Sequence, residues 1–246
     1  MTDSFHRVLW AGWLSKSQVK QFERCPYAWY LRNILHQPGE ERPELTNGSN
    51  VHEILNWVYD QKPRFESVEE LRATLFSHPD SENYGPLLSN FLKIIERWTL
   101  SHPLFREYSV RDQDYAVTGK IDRVDMINSV TYVVEYKWSY KKYNQSDYLF
   151  ELSLYAKLLE KNAHLIVNHG AVMFLQDGDI HTYEITEDMK NEAISRILNV
   201  RGEIFRCLAT DNFVKRVSPL CKYCEYKNIC DAYREHETQQ NVLPIK

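Results

Sequence analysis

The apolar positions follow two rhythms, and the chain switches between them near residue 106. Over "SKSQVKQFERCPYAWYLRNIL" (15–35) they predict two short helices. Ser15 and Gln18 make a capping-box pattern for the first, and Pro26 falls in the first turn of the second, so Cys25 sits at the joint. In "TNGSNVHEILNWVYDQ" (46–61) Val51, Ile54, Leu55 and Val58 form a helical stripe, with His52 and Glu53 beside it. Residues 64–105 are predicted mainly helical, with Pro86 opening "PLLSNFLKIIERWTL". The texture then turns to alternation. "YSVRDQDYAVTGKIDRVDMINSVTYVVEYKW", broken at Gly119 and "INS", predicts three consecutive strands in a meander. "YLFELSLYAKLLEKN" returns to a helix, and "GAVMFLQDGDIHTYEI" predicts two strands about a turn at Asp177 and Gly178. A long amphipathic helix follows in "TEDMKNEAISRILNVRGEIFRCLA". No internal repeat is present, and the polar "REHETQQN" is predicted disordered.

One strand breaks its own pattern. "VVEYKWSYKK" (133–142) starts as a buried run, yet places Glu135 and Lys137 two positions apart, on one face. A salt bridge on a solvated face is one reading; a metal ligand beside a water-activating lysine is the other.

Composition narrows the setting. With 246 residues and 43% hydrophobic content, one elaborated domain over 1–246 is expected rather than two equal ones. Its parts would be an N-terminal helical lobe (13–105), a core (106–208) and a C-terminal cysteine segment with a tail (209–246). No apolar stretch is long enough to cross a bilayer and "MTDSFHRVLW" lacks the succession of a secretion signal, so a soluble, cytoplasmic protein is expected. The net charge of −4 gives no global attraction to nucleic acid, but leaves room for a local basic groove. The cysteines say more. Cys221, Cys224 and Cys230 crowd into "CKYCEYKNIC", and clustered thiols in a reducing compartment favour metal over disulfides. A fourth ligand is needed, and either Cys25 or Cys207 is available.

Taken singly, the polar signals on these apolar frameworks are weak. A histidine beside a helical stripe is usually a packing residue, Asp122 has Arg123 as a neighbour, and Glu151 with Tyr155 is an ordinary i, i+4 pair. In order, "GSNVH" (48–52), "GKIDR" (119–123), "EYK" (135–137) and "ELSLY" (151–155) resemble the four motifs of RecB-like nucleases of the PD-(D/E)XK superfamily: GxxxH, GxxDR, ExK and QxxxY. One early cysteine with a late CxxC and a further Cys is similar to the 4Fe-4S staple of AddB and of Cas4-type CRISPR-adaptation nucleases. The resemblance spans residues 15–232. It departs from the family at Glu151, where a neutral amide has become an acid.

The resemblance implies an α/β, restriction-endonuclease-like mixed central sheet flanked by helices, with a helical lobe and a cysteine-ligated cluster region. It implies a metal-dependent DNA exonuclease acting on single-stranded or frayed ends. His52, Asp122, Glu135 and the Tyr136 carbonyl would hold Mg2+ or Mn2+; Lys137 would position or deprotonate the attacking water, with Glu151 and Tyr155 beside it. Cys25, Cys221, Cys224 and Cys230 would hold the 4Fe-4S cluster, with zinc as its competitor, and Cys207 would pack on its own helix. Tyr140, Lys141, Lys142 and Tyr143 suggest contact with a DNA strand, or a solvated turn. Two other classes are open: a non-catalytic nucleic-acid-binding module, and a subunit active only within a repair or CRISPR-adaptation assembly.

Overall fold

The computed structural model describes residues 12–40, 43–138 and 145–235, with the backbone alone for 43–47. The run from Tyr140 to Tyr143 and most of the polar tail lie outside the described residues. The chain forms two compact units: Pro43–Ser195, and Met1–Arg42 with Arg196–Lys246.

The larger unit is built on a five-stranded sheet in the order β1 (Phe105–Asp112), β2 (Val117–Ile127), β3 (Val130–Lys137), β4 (His169–Phe174), β5 (Asp179–Glu184). β1, β2 and β3 are the antiparallel meander that the alternation predicts, and β4 and β5 form the hairpin. β3 and β4 run parallel, so their connection must cross a face of the sheet. Helix α6 (Gln145–Ala163) makes that crossing. Both faces are therefore covered, which accounts for the nearly continuous burial of β3 from Val133 to Tyr136. On one face Val134, Tyr136, Ala171 and Met173 join a core with α3 (Pro43–Gln61), α4 (Val68–Leu75) and α5 (Gly85–Arg97). The α3 stripe Val51, Ile54, Leu55 and Val58 enters this core as its spacing predicts. On the other face α6 comes so close that a Cβ at Gly170 would lie 2.9 Å from Leu152 Cδ1. The mixed sheet between helical layers is a restriction-endonuclease-like α/β fold.

The smaller unit carries α1 (Lys16–Arg24) and α2 (Pro26–Asn33). The Ser15–Gln18 capping box closes the start of α1, an arrangement that contributes about 1 kcal/mol. Cys25 is at once the C-cap of α1 and the N-cap of α2, in an extended backbone conformation, and its side chain caps neither helix by a hydrogen bond. The cysteine segment folds as two 3₁₀ turns, Pro219–Tyr223 and Lys227–Ile229, ending in a helical turn at 231–235. Arg234 and Glu235 of the predicted disordered tail belong to that turn. Helix α7 (Glu187–Thr210) contains the boundary between the units.

Candidate active site and cysteine centre

The β2–β3 ladder runs from Ile127↔Val130 to Arg123↔Val134 and stops one residue short of Asp122. There the Asp122 carboxylate replaces a ladder acceptor, taking the Tyr136 N–H at 2.8 Å through Oδ2. Its other oxygen lies 3.6 Å from His52 Nδ1, an ion-pair separation. His52 follows Val51 on α3 and so points off the core stripe, with its ring edge-on to Tyr136 at 5.4 Å. Burial depresses the His52 pKa, but Asp122 foremost, with Glu135 and Glu107, raises it to a net value above 6.5.

Glu107 is the member of this group that the sequence reading missed. It stands opposite Asp122 in the β1–β2 register, at the one gap between Arg106↔Arg123 and Tyr108↔Ile121. Its φ is +45°, a left-handed conformation that costs a non-glycine residue about 1–2 kcal/mol. The distortion brings a carboxylate oxygen of Glu107 to within 4.8 Å of ligand atoms of both His52 and Asp122. Lys120 forms an ion pair with Glu107. Nothing in "FREYSV" announces a left-handed glutamate, so alternation alone could not find it.

Glu135 and Lys137 do lie on one face, and they are joined: Lys137 Nζ donates to Glu135 Oε1 at 2.9 Å. It also donates to Glu151 Oε2 at 2.6 Å. Both carboxyl side chains are nearly inaccessible, at 6% and 4%, whereas the lysine keeps 21%. The glutamate that departs from the family pattern thus serves as the second acceptor of the lysine. Tyr155, one helical turn along α6, is buried and lies over Gly119: a Cβ there would come 2.6 Å from its ring Cε1. Two of the sequence motifs therefore meet through close packing of a ring on a glycine. Arg123 turns the opposite way from Asp122. It is fully buried, binds Asp125 at 2.8 Å, and donates to the Tyr59 hydroxyl at 2.8 Å. Trp98 Nε1 donates to the same Asp125. This network fixes the strand from behind the site.

His52, Glu107 and Asp122 offer an imidazole and two carboxylates, a donor set that suits a hard divalent cation. Ionised, the four carboxylates Glu107, Asp122, Glu135 and Glu151 outweigh the ammonium groups of Lys120 and Lys137, so the site favours added positive charge. Glu135 acts on His52 electrostatically and accepts a hydrogen bond from Lys137. Tyr136 presents its ring to His52 and its N–H to Asp122.

In the smaller unit, Cys25, Cys221, Cys224 and Cys230 all wall one cavity. Cys207 is not among its lining residues; burial pushes that thiol's pKa up. Backbone N–H groups of Ser218 and Tyr226 donate to Cys221 Sγ at 3.3 Å and Cys224 Sγ at 3.5 Å. Burial raises the Cys224 pKa, with lesser contributions from Cys25 and Cys221. Residues beyond Cys224 are tied to the N-terminal helices without any thiol: Arg32 reaches the buried Glu225 at 2.5 Å, Glu40 N–H donates to Glu225 O at 3.0 Å, and the Tyr226 hydroxyl to Gln37 O at 3.0 Å. Among the described residues, the one trio of metal-binding side chains whose ligand atoms lie within 4.8 Å of one another is His52, Glu107 and Asp122.

A mixed sheet carrying an Asp, an ExK strand and a facing helix defines a nuclease scaffold, and comparison with known families agrees. The model of the PD-(D/E)XK nuclease superfamily matches residues 13–231, and the chain belongs to that superfamily. Among solved structures, a protein from Eubacterium rectale, provisionally named an exonuclease, is 16% identical over 100% of this chain and 92% of its own, with a TM-score of 0.49. The structure of SSO0001 is 16% identical over 91% of this chain and 87% of its own, with a TM-score of 0.42. Among curated proteins none matches at significance. Among the described residues no helix is long and apolar enough to cross a membrane.

Proposed function

We propose that the chain is a metal-dependent deoxyribonuclease, acting as an exonuclease on single-stranded or frayed DNA ends. The observation that carries the reading is the meeting of His52, Asp122 and Glu107 on one side of β2, with Lys137 held by Glu135 and Glu151 on the adjoining strand and helix. When bound there, Mg2+ or Mn2+ supplies Lewis acidity and an activated water. His52, Asp122 and Glu107 would hold it, with Glu135 and the Tyr136 carbonyl as the further ligands that the family resemblance assigns. The protein's own groups do the rest. Lys137 offers an ammonium to the phosphate or to the attacking water, and Glu135 and Glu151 fix its position. Tyr155 seats α6 against Gly119, which sets the distance between Glu151 and the strand that carries Asp122. Arg123, clamped by Asp125 and Tyr59, resists rotation of that strand.

The four cysteines support a 4Fe-4S staple within the same reading. They share one cavity, and N–H groups point at two of the sulfurs. Zinc sites commonly carry their cysteines as two close pairs, whereas this chain has one early cysteine and three grouped late ones, which favours the cluster over zinc. The whole chain then functions as one nuclease domain, the smaller unit contributing the staple, in DNA repair or CRISPR adaptation.

The test is an assay with end-labelled single- and double-stranded DNA in Mn2+, in Mg2+ and in chelator, on wild type, Asp122→Ala and Lys137→Met. Divalent-dependent loss of end label, absent in both variants, is expected. Binding without cleavage in Mn2+ would leave a non-catalytic module, and cleavage gained only with a partner would make the chain a dependent subunit. Anaerobic protein should be brown and lose colour with Cys25→Ser but keep it with Cys207→Ser; a colourless protein with stoichiometric zinc would overturn the staple.

A further inference from the structure

The distortion at Glu107 has a second effect. In a regular strand, residues three apart face opposite sides of the sheet. Phe105 and Tyr108 nevertheless stack on one another, with centroids 4.4 Å apart and ring planes at 20°. The left-handed turn of Glu107 between them brings the two rings together. Both are half-buried, and neither belongs to the core around Phe91. Among the described residues β1 is an edge strand that pairs with β2 alone, and no other described strand closes that flank of the pair. Lys120, paired with Ser109, keeps its ammonium side chain 60% exposed on the neighbouring strand.

We propose that Phe105 and Tyr108 form a stacking platform for one unpaired nucleobase, next to the phosphate that reaches His52, Glu107 and Asp122. The inference rests on the nuclease reading above and adds a determinant of substrate form. Aromatic stacking is sequence-tolerant because every base has a π-face, and a base inside a duplex has both faces already occupied. The platform therefore selects a displaced or single-stranded base, and Lys120 offers positive charge to the backbone beside it. Its placement follows from the chain, since Glu107 is the residue before Tyr108 and two after Phe105.

The experiment uses single-stranded oligonucleotides bearing 2-aminopurine at successive positions, titrated into the full-length protein in chelator. Wild type should quench the probe most strongly at one position. Phe105→Ala and Tyr108→Ala should abolish that maximum and weaken binding about 5- to 150-fold, the range for loss of one stacked base. Tyr108→Phe should bind as wild type, and all four proteins should bind equally an oligonucleotide that is abasic at that position. In Mn2+ the alanine variants should raise KM and spare kcat. Unchanged Mn2+ affinity would confirm that each variant keeps its site intact. Equal binding by wild type and both alanine variants, or an equal loss on the abasic strand, would overturn the platform. Positional quenching without cleavage by wild type would retain the platform and refute the nuclease reading; cleavage indifferent to both rings would do the reverse.

Discussion

Lys137→Met is expected to damage stability as well as catalysis, because the ammonium balances two carboxylates that water scarcely reaches. Glu135 and Glu151 lie 2.9 and 2.6 Å from Nζ, with side-chain exposures of 6% and 4%. Removing one partner from a buried ion pair costs about 3–5 kcal/mol. Lys137 retains 21% exposure, so water screens part of the interaction and the lower figure, about 3 kcal/mol, is the better expectation. For a chain of this size that is a fall in Tm of about 6–12 °C. The pH dependence supplies a signature. In the variant, two close carboxylates without their cation acquire folded-state pKa values above their unfolded ones. The folded state then binds more protons, so its deficit is full above those raised values and shrinks as pH falls through them. The assay is urea unfolding in chelator across mildly acidic to neutral pH, on wild type, Lys137→Met and Lys137→Met/Glu151→Gln. The double variant removes one of the opposed charges and should recover stability without recovering cleavage. A single variant as stable as wild type at neutral pH would refute the charge-balance argument, and recovery of cleavage by the double variant would remove Lys137 from the chemistry.

Gly119→Ala should lower stability by about 1–3 kcal/mol, since its Cβ would come 2.6 Å from the buried Tyr155 ring; adding Tyr155→Leu should restore most of it, and an unaltered melting curve for the single variant would contradict the packing. Glu107→Gln should weaken Mn2+ binding measured by calorimetry while leaving Lys137 and its partners in place, and an unchanged affinity would exclude Glu107 as a ligand. Because His52 is held above its usual 6.5, chiefly by Asp122 against the opposing effect of burial, protons compete with a cation at and somewhat above that pH. Mn2+ affinity should accordingly rise with pH through that range, and a flat profile would remove His52 from the ligand set. If the cysteines hold the proposed cluster, Arg32→Ala and Glu225→Ala should each hasten its loss, read as decay of visible absorbance, and the double variant should do little more than either alone; unchanged retention in both single variants would dissolve the link between the Arg32–Glu225 pair and the cysteine cavity.

Much of this architecture was legible because its elements obey simple periods. The α3 stripe, the Ser15 capping box, Pro26 at the head of α2 and the β1–β3 meander all follow from spacing and end chemistry. Glu135 and Lys137 were legible as a pair because alternation places them on one face, and their hydrogen bond bears that out. What escaped the sequence depends on departures from regularity. Glu107 reaches His52 and Asp122 only because its backbone leaves the strand conformation, and no residue type near it signals such a turn. Glu151 as the second acceptor of Lys137 requires knowing how α6 lies across β3, and the parallel pairing of β3 with β4 is what sets that crossing. The left-handed residue also erases the face assignment of Phe105 and Tyr108, so the alternation that identified β1 as a strand misplaces its aromatic side chains.

The bend at Glu107 bears on solubility too. An edge strand offers unpaired amides and carbonyls to any similar strand, and a straight, flat edge invites chains to join side by side. β1 cannot present such a template along its whole length, because the left-handed residue interrupts its run between Arg106 and Tyr108. Straightening it, as a β-branched replacement at 107 would tend to do, should leave a protein that associates through this margin at concentrations where the native chain stays apart.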